Sequence, residues 1–125
     1  MNEYSRFLRR NAVNREKEFY IKPNAFDVRK IGVAQRPEVS IYNTGALDSE
    51  AIWKIAENEG LIKHRYSFGR ATLTDSQIAQ TVIELDPFPN AAAEHVNMIN
   101  WPDEADLLET QLKLARLATL FLHPN

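Results

Sequence analysis

The run Glu94-His95-Val96-Asn97-Met98-Ile99-Asn100-Trp101-Pro102, with Asp103 next, constrains this chain more than any other stretch. Val96 and Met98 alternate with His95, Asn97 and Ile99, which predicts a short strand with two distinct faces. Trp101-Pro102 must then turn, because proline lacks an N–H and disfavours helix at the residue before it. Asp103 is a good N-cap, and Glu104 and Asp106 suit the positive end of the helix that follows. Leu108, Leu112 and Ala115 predict one apolar row of that helix. Leu107, Leu114, Leu117, Ala118 and Phe121 widen it, and the helix is expected to run to His123-Pro124-Asn125. A strand that feeds a corner and then a broad apolar helix implies helix packed on sheet.

Upstream, Tyr4, Phe7 and Leu8 stand at i, i+3 and i+4, which predicts a short amphipathic helix over 3–10 with Arg6, Arg9 and Arg10 on its wet side. From Phe19 to Pro37 the pattern predicts an irregular wrap with one short strand near Phe19-Tyr20-Ile21 and a turn at Lys22-Pro23-Asn24. Val39 to Tyr42 is a strand, with Val39 and Ile41 on one face. Asp48 or Ser49 opens a helix whose stripe is Ala51, Ile52, Ile55 and Ala56, with Trp53 beside it and Gly60 at its end. Arg65 to Leu73 reads as a strand broken by Gly69, with Tyr66, Phe68, Arg70 and Thr72 on one face. Thr74 and Gln77 form a capping box for a short helix, and Thr81 to Leu85 is a further strand. The expectation is an α+β fold, a small mixed or mostly antiparallel sheet of about four strands covered by helices, the longest at the C-terminus.

The 125 residues suit a single domain spanning 1–125, and 44% hydrophobic with 26% charged residues is a globular balance. No run approaches the roughly 18 apolar residues of a membrane span, and no apolar leader opens the chain, so a soluble, cytoplasmic protein is expected. Cysteine is absent, which excludes disulfides, thiolate catalysis and zinc ribbons. The net charge of −2 conceals an asymmetry: residues 1–36 hold nine Lys/Arg against four acids, and the rest six against thirteen. A basic N-terminal helix and wrap thus precedes an acidic α+β body from residue 37 on. The asymmetry fits either an anionic partner or a basic arm packed on an acidic body.

Few side chains carry chemistry. Among three histidines, His64 lies between Lys63 and Arg65, and His123 is near the end. His95 sits inside a predicted strand, on the same face as Asn97, so an imidazole beside a carboxamide could serve as general base with an orienting neighbour. The competing reading is that His95 bonds a backbone group at a strand edge. Arg70 and Lys22 are candidate anion clamps. No His-x-His or His-Glu-x-x-His pattern occurs, and the four glycines form no phosphate loop, so no metal and no cofactor are expected.

The order Lys-Pro-x-Ala-Phe (Lys22 to Phe26), a Val-Ser strand, Leu-x-x-x-x-Ile-Trp (Leu47 to Trp53), Gly-Arg-Ala (Gly69 to Ala71) and His-x-Asn-x-x-x-Trp-Pro (His95 to Pro102) before a Leu/Ala-rich helix resembles a family of small bacterial proteins without a known function. The resemblance runs from about Lys22 to Leu122 and implies a bacterial protein with one integral domain. Asn100 replaces the glycine that is usual before Trp101.

Two functional readings follow. The first is a small binding or accessory protein that meets a protein or nucleic-acid partner through the basic segment carrying Arg6, Arg9 and Arg10. The second is a metal-independent enzyme acting on a phosphorylated or nucleotide substrate, with His95 as base or acid, Asn97 as orienter, and Arg70 and Lys22 gripping the anion. A third, structural reading is a homodimer sealed through an edge strand or the last helix.

Overall fold

The computed structural model describes residues 2–15, 19–31, 36–61, 68–87 and 94–124, without the side chains of 29–31 and 36. In chain order the elements are β1 (Glu3–Leu8), β2 (Val13–Asn14), β3 (Tyr20–Ile21), β4 (Arg29–Ile31), β5 (Arg36–Asn43), α1 (Ser49–Asn58), β6 (Gly69–Thr74), α2 (Asp75–Ile78), β7 (Glu84–Asp86), β8 (His95–Ile99), α3 (Glu104–Leu117) and β9 (Thr119–Leu122). Short 3-10 turns occupy Arg10–Ala12 and Pro23–Phe26. The main sheet runs β7-β8-β5-β1-β6-β9, with β4 pairing one end of β5, and β2 with β3 forms a separate hairpin. Every strand pair is antiparallel. The fold is therefore α+β on a largely antiparallel sheet, with three helices among the described residues, one of them near the C-terminus. No helix among the described residues is long and apolar enough to cross a membrane.

The sheet buries both faces. Tyr4, Leu8, Val39, Ile41, Ala71, Leu73, Val96 and Met98 point to the side where Leu114 and Ala115 of α3 and Phe26 of the Pro23–Phe26 turn close the larger core. Phe7 and Tyr42 point to the other side, under Ile52, Trp53, Ile55 and Ala56 of α1. Local signals set these helices in place. Asp48 accepts from the Ala51 N–H at 2.9 Å, and Thr74 and Gln77 complete a reciprocal capping box at 3.2 and 2.9 Å. At the end of α1, Gly60 takes φ +72°, and the Leu61 N–H reaches back to the Ala56 carbonyl at 2.8 Å. That closure needs a left-handed residue, which glycine supplies without steric cost.

Several expectations give way. Residues 3–8 are not helical but form the central strand β1, followed by a 3-10 turn, so the sheet has six strands in its path and not about four. The i, i+3, i+4 spacing of Tyr4, Phe7 and Leu8 arises because β1 buries apolar groups on both faces, which erases strand alternation. The strand expected at 81–85 forms only at 84–86, because Thr81 and Ile83 are held in a turn by the Thr81 hydroxyl. Of the strand expected at 65–73, the described part begins at Gly69 as β6. A Cβ there would lie 2.8 Å from the Phe121 carbonyl oxygen, so glycine lets β9 approach. The portion of that predicted strand at 65–67, and His64, lie outside the described residues.

The last helix stops at Leu117, and the chain turns back as β9 onto β6. Its buried face is Gln111, Leu114 and Ala115, while Leu108 from the predicted row is 62% exposed. Gln111 shares the buried face, its side chain donating to the Phe26 carbonyl at 2.9 Å, so the buried amide is satisfied. Between β8 and α3, Asn100 adopts φ +66°, a conformation asparagine tolerates better than most residues, and its side chain donates to the Val82 carbonyl at 2.8 Å. The Trp101 indole N–H closes the corner on the Met98 carbonyl at 2.8 Å.

Candidate functional site

His95 and Asn97 do share one face of β8, the face opposite Val96 and Met98. Register places Tyr42 and Ser40 of β5 beside them, and Asp86 of β7 beside Asn97. The imidazole lies 5.5 Å from the Tyr42 ring, tilted by 37°. His95 Nδ1 and Asn97 Oδ1 are both buried without a hydrogen-bond partner among the described residues, so the two side chains are neighbours without a hydrogen bond between them. Each orphaned atom costs about 1–3 kcal/mol relative to a satisfied one.

Tyr42 shows what this environment does to ionisation. Burial is the main cause that pushes its hydroxyl up to about 12; the charge of Glu59 adds to this and Arg6 partly opposes it. Tyr4 moves the same way through burial and its hydrogen bond to Asp75. A phenol whose folded pKa is raised holds its proton longer folded than unfolded, so its contribution is complete below pH 10 and is lost as pH rises towards 12. Stability should therefore fall by roughly 2–3 kcal/mol over that window on account of Tyr42. Urea titrations at stepped pH should show Tyr42→Phe with a shallower alkaline loss than the parent chain; equal slopes would refute the assignment.

Arg70 also faces this side of the sheet, yet β5 and β1 stand between its strand and β8. Three inter-strand spacings place it roughly 14 Å or more from His95. The rings of Tyr42, Phe7 and Trp53, with centroids 5.6 Å apart at each step, fill the ground under α1. The Arg70 Nη1 donates to Ser5 Oγ at 3.0 Å, Ser5 and Thr44 hydroxyls bond each other at 2.7 Å, and Glu3 stands off at 3.9 Å. Its guanidinium lies 4.6 Å from the Phe121 ring centroid, and Nε is buried without a partner. Burial lowers its pKa, against the opposing charge of Glu3. Lys22 leads into the Pro23–Phe26 turn, which packs with α3 on the opposite side of the sheet. The four residues weighed as one catalytic constellation thus occupy three places.

The basic N-terminal segment divides as well. Arg6 is held internally: its Nε donates to the Ala25 carbonyl and its Nη1 to the Ser40 carbonyl, each at 3.0 Å. It spans the opening where β1 and β5 diverge beyond the Ser5–Tyr42 pair. Arg9 and Arg10 are exposed on the turn after β1. Arg10 is joined by Arg15, which the sequence reading did not single out. Their guanidinium carbons stand 6.0 and 5.6 Å from the centroid of the same ring, Phe68.

Close by, Val13, Asn14, Arg15 and Lys22 line an open basin on the β2–β3 hairpin. Phe19 and Tyr20 stand out on that hairpin at 50% and 55% exposure, and the Tyr20 hydroxyl accepts from Asn14 at 2.8 Å. That Phe68 meets Arg10 and Arg15 is not legible in local pattern, because the ring is contributed from more than fifty residues further on. Among the described residues no group of three or more acidic or histidine side chains is placed to hold a metal. Compared with protein-family models, curated proteins and solved structures, the chain finds no match.

Proposed function

We propose that this protein is a binding module for an anionic polymer, single-stranded nucleic acid being the class that its surface fits. The observation that carries this reading is the pair Arg10 and Arg15 over one phenyl ring. No carboxylate among the described residues is paired with either. Two cations gathered on one ring repel each other, and an anion that meets both removes the repulsion. Arg9 and Lys22 extend the positive surface, and the exposed Phe19 and Tyr20 rings beside it offer stacking faces that an acidic protein would not require.

Fluorescence anisotropy with a labelled thymidine 20-mer, at 50 and 200 mM salt, tests the proposal. Three phosphate contacts on a single strand predict binding about ten- to twenty-fold weaker at the higher salt. The double variant Arg10→Ala/Arg15→Ala should lose about tenfold in affinity at 50 mM salt and show a flatter salt dependence. Absence of binding at 50 mM salt, or binding that ignores salt, would refute it.

A further inference from the structure

The main sheet ends at β7 on one side and at β9 on the other, and the two edges differ in a way that points to a partner. β7 is Glu84-Leu85-Asp86, so pairing with its own copy would bring carboxylates face to face. A charged edge of this kind is how sheets avoid self-association. β9 is Thr119-Leu120-Phe121-Leu122, without a charge, a proline or a bulge to protect it. Phe121 and Leu122 are 44% and 42% exposed on opposite faces of the strand.

Backbone parity shows which groups face outward. The His123 N–H donates to the Phe68 carbonyl at 3.0 Å, which makes His123, Phe121 and Thr119 the residues whose backbone groups turn to β6. The N–H and C=O of Leu120 and Leu122 therefore point away from the sheet, where no described strand pairs with them.

We infer that β9 pairs antiparallel with β9 of a second copy of this chain, joining two sheets across a two-fold axis. An antiparallel contact of a strand with itself is isologous and must be self-complementary. A neutral strand with outward donors and acceptors in alternation meets that requirement, whereas β7 does not. The same contact covers Phe121 and with it the outer side of the Arg70 guanidinium stacked on that ring. Four residues per copy make a small interface, so association in the micromolar range or weaker is expected.

Light scattering coupled to size exclusion, and sedimentation equilibrium, from about 5 to 500 µM will decide. The expected result is a mass that climbs with concentration from 14.4 kDa toward two chains and no further. Leu122→Pro deletes one outward N–H without touching the bonds to β6, and should weaken dimerisation at least tenfold. Phe121→Lys, which sets like charges against each other at an exposed position, serves as a second variant if the proline destabilises the strand. A monomer at every concentration would overturn the inference. So would masses beyond two chains, or a dimer that both variants leave unchanged.

Discussion

Phe26→Ala is expected to lower the free energy of unfolding by about 3–5 kcal/mol. Phe26 is fully buried at the end of a 3-10 turn, in the core closed by Leu114 and Ala115. The turn is pinned on both sides of the ring. The Ala25 carbonyl accepts from Arg6, and the Phe26 carbonyl accepts from Gln111 at 2.9 Å. Such pinning prevents the backbone from collapsing into the space the ring leaves, which is the circumstance in which a cavity costs most. A loss of this size is a large share of the stability of an ordinary domain. Urea denaturation followed by tryptophan fluorescence will measure it, and a drop below 1 kcal/mol would show that the turn is not tied to the core as described.

Arg6→Met should cost about 2–3 kcal/mol, from two backbone carbonyls deprived of their donor. Methionine keeps the aliphatic reach but none of the N–H groups that meet Ala25 and Ser40. The variant also separates Arg6 from its neighbours in sequence. Oligonucleotide affinity should be unchanged at a temperature where the variant is folded, in contrast to the Arg10/Arg15 double variant. Parent-like stability combined with lost binding would return Arg6 to the surface where the helical reading had put it.

Short signals that depend on one or two side chains were legible: the Asp48 cap, the Thr74–Gln77 box, the Gly60 closure, and the two faces of 95–99. Each is decided by local sterics or a local hydrogen bond. What failed was any segment whose environment comes from afar. β1 lies between β5 and β6 and is apolar on both sides, so its pattern cannot reveal its period. In α3 the leucines at 107, 108, 112 and 114 spread around the helix, and the burial of Gln111, whose side chain bonds a turn eighty-five residues away, is not legible in them.

For the candidate site the division is similar. His95 and Asn97 as neighbours followed from strand alternation alone. That Arg70 belongs with Ser5, Thr44 and Phe121 and not with His95 depended on strand order, which alternation does not encode. Arg15 is not legible for the same reason: its partner ring, Phe68, arrives only through the pairing that brings the Phe68 N–H to the Leu8 carbonyl.

The central position of β1 bears on how the chain comes together during synthesis. β1 leaves the ribosome before the strands it pairs with: its neighbours are Asn43 and Tyr42 on one side and residues 69–74 on the other. β6 in turn obtains its second neighbour only when 119–122 have emerged. Adjacent hairpins such as β7–β8 can close early, but the middle of the sheet waits on distant segments. A topology dominated by such remote pairings folds in milliseconds to seconds and not microseconds. Through that interval a nascent strand carrying Tyr4, Phe7 and Leu8 remains unpaired, which makes this chain a candidate for chaperone capture until β6 arrives.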